Sequence, residues 1–129
     1  KRAVMRIRLY CDLYVSECWQ EKKEKIIKRL VDNRLQPQVY VITLAQGEQN
    51  YLEFFSSVLL KQRIYKETEL FVVGIAAGYW EAVSMIKDMT ERVYKETGDA
   101  NVRQFIMMRQ EEFEKAGRQS RCYISFSLF

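Results

Sequence analysis

Gly74 and Gly78, in the run VVGIAAGYWEA, form the pattern with the clearest chemical potential in the chain. A strand that passes through small residues into a helix brings backbone N–H groups close to an anion at a helix N-terminus, where the helix dipole favours negative charge. The run has no Lys, Ser or Thr and fits neither the Walker phosphate loop nor the dinucleotide fingerprint, so it names no particular ligand. In an open parallel sheet the strand ends converge on one crevice, which adds Asp12 and Ser16 from the end of the first strand and Tyr79 from the helix start. Gly74, Gly78, Tyr79, Asp12 and Ser16 are therefore the expected ligand-binding set for a small phosphate, nucleotide or carboxylate. The competing structural reading is that the glycines ease a tight strand-to-helix turn while Ala76 and Ala77 permit close packing.

Other chemistry is sparse. Asp12 with Glu48 supplies two carboxylates at neighbouring strand ends, but a third acid is missing and no metal is expected. Cys18 stands in the first turn of an expected helix, where the dipole favours thiolate and Glu17 opposes it. Its spacing from Cys11 is neither a redox nor a zinc pattern, and Cys122 lies in the tail. The 129 residues contain no His, which removes the commonest general base and metal ligand. No catalytic residue is assigned, no cofactor is expected, and the balance leans against an enzyme.

Aromatic residues point elsewhere. Tyr51, Phe54, Phe55, Tyr65, Tyr79, Trp80 and Tyr94 outnumber what one face of each expected helix can bury, and exposed aromatic patches mark interfaces. Lys61 and Arg63 among them would suit single-stranded nucleic acid. The formal charge is only +4, however, and the first charged run interleaves Glu21 with Lys25 and Glu24 with Lys28, as on a solvated helix face. Nucleic acid is the weaker expectation.

The elements that must position these residues alternate. Residues 3–15 read as a strand, Glu17 to Asn33 as a helix capped by Ser16, and Val39 to Ala45 as a strand buried on both faces. Gly47 ends that strand, and Asn50 with Glu53 resembles a capping box opening a second helix that buries Leu52, Phe55, Val58 and Leu59 and stops near Arg63. Leu70 to Ala76 forms the third strand, and a helix from Gly78 or Tyr79 stops at Gly98. A fourth helix, capped by Asp99 or Asn101, runs to about Ala116, and Gly117 ends it. The order predicts an α/β fold, a three-layer sandwich around a small, mostly parallel sheet built from βαβ units with flanking helices. Residues 1–117 make a single α/β domain, and 118–129 form a C-terminal tail whose alternation fits an extra edge strand.

No apolar run reaches the length of a membrane span. KRAVMRIRLY alternates apolar residues with Arg, unlike a signal peptide, and reads as a trimmed end or a fragment. Three cysteines suit reduced thiols, which implies a cytoplasmic and, by default, bacterial setting. The expected function is self-association or protein–protein interaction, with a homodimer formed by a sheet edge or by aromatic helix faces. The alternative is a small anionic ligand at the strand ends, and a weak nucleic-acid binder is the third reading.

Overall fold

The computed structural model describes residues 2–32, 34, 36–45, 51–60 and 68–128. Gly47, Glu48, Asn50, Lys61, Arg63 and Tyr65, named above, lie outside the described residues, as does Asn33, the expected end of the first helix. The strands are β1 (Arg2–Val15), β2 (Val39–Leu44), β3 (Leu52–Ser56), β4 (Thr68–Ala77) and β5 (Arg121–Leu128). The helices are α1 (Lys23–Val31), α2 (Tyr79–Thr97) and α3 (Val102–Lys115). The five strands make one sheet in the order β3-β2-β4-β1-β5.

Among the described residues only β1 and β4 pair in parallel; β1–β5, β2–β3 and β2–β4 are antiparallel. The fold is α/β, but the expected mostly parallel sandwich is overturned. The cause is local. The second expected helix does not form where LEFFS lies; that run is strand β3, paired with β2 from Leu44↔Leu52 to Tyr40↔Ser56. Short apolar runs satisfy helical and extended spacing alike, and here Leu52 and Phe54 pack on one face of the sheet while Phe55 packs on the other, as period-two alternation requires. With a hairpin in place of a helical crossover the chain reverses at β3, and the α1 connection likewise returns β2 opposite in direction to β1, so β2 meets β4 antiparallel.

Two cores flank the sheet. On one face Ile26, Ile27 and Leu30 of α1 pack against Ile7, Leu9, Val41, Leu70 and Val72. On the other, Ala82 and Met89 of α2 with Val102 and Ile106 of α3 cover Tyr10, Ile42, Val73 and Ala76. The segment expected as one long first helix begins instead as a 3-10 turn, Glu17–Lys22, before α1. Gly98 adopts φ 75° and its N–H reaches Tyr94 O at 2.8 Å, so α2 stops where a left-handed residue is needed. Asn101 Oδ1 accepts the Gln104 N–H at 3.1 Å and starts α3.

Ion pairs tie the sheet to the helices on both of its faces. Arg121 Nη2 donates to Glu24 Oε1 of α1 at 2.7 Å, and Arg8 Nη2, on the neighbouring β1, donates to Glu114 Oε2 of α3 at 2.6 Å. Hydrogen bonds from Gln110 and then Arg8 hold the Glu114 carboxyl below its ordinary value of 4.5, and Arg121 does the same for Glu24. A carboxyl whose folded pKa is depressed adds stability above its unfolded pKa, and that stability is lost as pH falls through the folded value. The melting temperature is thus expected to decline as pH drops below about 4.5. Glu24→Gln with Glu114→Gln should flatten that decline in a thermal scan from about pH 6 to pH 3; an unchanged slope would show that the pairs do not contribute.

Candidate functional site

The parallel strands β1 and β4 end side by side, and the chain leaves each of them through residues flagged by the sequence. Ser16, only 3% exposed, fastens the two ends. Its N–H donates to Ile75 O at 3.1 Å, and its Oγ accepts the Ala77 N–H at 2.9 Å. The expected cap on the first helix is absent, because this hydroxyl is already engaged across the sheet.

One residue after Ala77, Gly78 bends the chain into α2 with φ 101° and ψ 173°, a backbone region essentially confined to glycine. Its N–H donates to Ala76 O at 3.1 Å, and its carbonyl accepts from Ala82 N–H at 3.1 Å to open the helix. A Cβ at Gly78 would meet no atom within 4 Å, so the glycine is required by the turn and not by close packing. Gly78→Ala is accordingly expected to cost about 1–3 kcal/mol through backbone strain alone, read as a lower midpoint in urea. An unchanged midpoint would show that the turn adapts.

The sharp turn throws the first two helical side chains outward, and they join a ladder of rings. Tyr79 stacks edge-on to Phe54 of β3 at 5.2 Å between centroids, to Tyr40 of β2 at 6.2 Å and to Trp80 at 5.0 Å. Tyr40 and Phe54 complete the set at 6.4 Å. Trp80, at the tip, is 78% exposed. Edge-to-face pairs add roughly 0.5–1.5 kcal/mol each, enough to hold the rings in place without burying them. The charged side chain in this first turn is Glu81, an acid. It balances the helix dipole and opposes an approaching phosphate.

Of the five expected ligand residues, Ser16, Gly78 and Tyr79 come together here. Gly74 does not. It lies within β4 at a bulge, where register with β2 shifts between Ile42↔Gly74 and Thr43↔Val72, and its Cα faces Met85 and Ile42. Asp12 lies in an irregular stretch of β1, and its Oδ2 accepts from Arg109 Nε of α3 at 2.8 Å. Beside it the Cys11 thiol is pushed up chiefly by burial, as is the Tyr10 hydroxyl, well above the ordinary tyrosine value. Cys18 is exposed in the 3-10 turn, and Cys122 is exposed on β5. Among the described residues no three His, Cys, Asp or Glu side chains gather at one point.

From the aromatic list, Phe54, Tyr79 and Trp80 converge, Phe55 enters the opposite core, and Tyr51 and Tyr94 are exposed elsewhere. Tyr40 was not on that list. Its signal was the alternation of VYVITL, which sets Tyr40 on the face opposite Val39 and Val41; the register Tyr40↔Ala76 then brings it beside the start of α2. Among the described residues no helix is long and apolar enough to cross a membrane. No protein-family model, curated protein or solved structure matches this chain.

Proposed function

We propose that this chain acts by binding another protein, with the ring ladder of Tyr40, Phe54, Tyr79 and Trp80 as its contact surface. The observation that carries the reading is Trp80, the largest side-chain type, held 78% exposed at the end of three successive ring contacts. Tryptophan and tyrosine dominate the binding energy of interfaces because they bury much area at little cost in conformational entropy. The ladder lies at the β3 end of the sheet, where a partner can cover several rings at once. The small-anion reading draws less support, because Ser16 and Asp12 already spend their polar atoms on Ala77 and Arg109. Glu81 likewise sets the ladder apart from a phosphate-binding platform. Three unpaired cysteines favour a cytoplasmic setting for this role.

A photo-crosslinking amino acid at position 80, expressed in the cells that make the protein, is expected to give a discrete covalent adduct with a second polypeptide. The same group at Lys95, in the last turn of α2 and far along the helix, should not. Identical patterns at the two positions would overturn the reading. Trp80→Ala should lower the unfolding free energy from a urea titration by no more than about 1.5 kcal/mol, the most that its ring contact with Tyr79 supplies, so the isolated fold survives.

A further inference from the structure

We propose that β5 is the contact edge for a second copy of this chain, paired antiparallel to its own counterpart so that ten strands, five from each copy, form one continuous sheet. The surface is separate from the ring ladder, which sits at the β3 end of the sheet.

The first support is the edge itself. Among the described residues no strand pairs with the outer side of β5. Natural edges are blunted by Lys, Glu, Pro or brevity. β5 has eight residues, RCYISFSL, whose one charge is Arg121 at the start. The opposite edge, β3, has five residues with Glu53 among them and runs straight into a 3-10 turn, so it is already protected.

The second support is the helix layer above. α1 overhangs the β5 edge and leaves a groove of about 430 Å³, floored by Ile27, Val31 and Tyr123 and rimmed by Glu24, Lys28 and Arg121. A strand added beyond β5 would send alternate side chains into that groove. On the other face Ile124 is 52% exposed beside the same edge.

The third support is symmetry with charge. Pairing a strand antiparallel with its own copy closes about a two-fold axis perpendicular to the sheet, so both α1 helices lie on one face and meet over the seam. Glu24 and Lys28 lie one turn apart on α1, with Glu24 held by Arg121 of its own β5, and two antiparallel copies set this acidic and basic rim of one against that of the other. A stable interface needs about 1,000 Å² in total, more than a strand edge alone supplies, so the proposal requires the groove beside α1 to be covered as well.

Light scattering after size exclusion, on the full chain at up to about 100 μM, should report twice the 15.5 kDa mass of one chain. Alternate N–H groups of β5 point to opposite edges, so of Ile124→Pro and Ser125→Pro one breaks the ladder to β1 and the other removes only an outward donor. The variant that still melts cooperatively should be monomeric, with a melting temperature lowered only by the lost association. Lys28→Glu, at an exposed position, sets like charges across the seam and should raise the dissociation constant about three- to ten-fold whether or not either proline variant folds. A monomeric parent, a dimer unaffected by Lys28→Glu, or one that survives the folded proline variant would overturn the proposal. A dimer lost on Trp80→Ala instead would move self-association to the ring ladder.

Discussion

Gln110→Leu is expected to lower stability by about 1–3 kcal/mol, a fall in melting temperature of roughly 5–15 °C for a chain of this size. Gln110 is the most deeply buried polar side chain of α3, at 1% exposure, and it repairs a defect in the sheet. Register between β1 and β4 is regular as far as Leu9↔Val72 and resumes only at Tyr14↔Gly74, so the intervening residues of β1 bow away from their partner. β5 gives no help, because its pairing with β1 stops at Leu9↔Arg121. The Cys11 N–H is thereby left without a strand partner, and Gln110 Oε1 accepts it at 2.8 Å. The amide nitrogen of the same side chain donates to Glu114 Oε2 at 3.0 Å and to Ser120 Oγ at 3.3 Å, which links α3 to the segment entering β5. Leucine matches the volume but accepts nothing, so a backbone donor is left in a largely dry place. Two further readouts follow. Exchange of the Cys11 amide should accelerate, and the Glu114 carboxyl, having lost its strongest donor, should titrate closer to its ordinary value. A melting temperature within about one degree of the parent would show that water replaces the glutamine.

Gly74→Val is expected to be at least as damaging, at about 3 kcal/mol or more, and to yield little folded protein. A Cβ at this position would lie 3.0 Å from Met85 Sδ and 3.2 Å from Ile42 Cδ1 before either methyl of valine is placed. Both neighbours belong to the core between the sheet and α2, where atoms are packed as closely as in a crystal and have little room to retreat. Gly74→Ala is the milder version, because the methionine sulfur sits on a flexible chain and can swing aside. Combining Gly74→Ala with Met85→Ala should recover part of the loss, and that non-additivity, about 0.5–3 kcal/mol in a double-mutant cycle, is the specific signature of this contact. Additive effects would place the role of Gly74 in the backbone of the bulge and not in its packing.

Much of the fold was determined by local sequence. The α2 boundaries follow from Gly78 and Gly98, which take positive φ at its two ends, and the start of α3 follows from the side chain of Asn101; each signal acts on its own neighbours and needs no distant partner. The runs that became β1, β2 and β4 and the alternation of the tail that became β5 were legible for the same reason.

Three features were decided only when distant segments met. LEFFS carried both periodicities, and pairing with β2 selected the strand, so a hairpin stands where a helical crossover was expected. Gly74 has the same sequence neighbours whether it faces a ligand or a methionine; the bulge opposite Ile42 chose the methionine. Asp12 in β1 and Ser16 just past its end lie four residues apart, yet the bowing of β1 turned the first to Arg109 while the second remained at the sheet to hold Ala77. Side-chain chemistry and local propensity are written residue by residue, whereas strand direction, bulge position and the ring ladder depend on which backbone groups find each other across the sheet, and that pairing is a property of the whole chain.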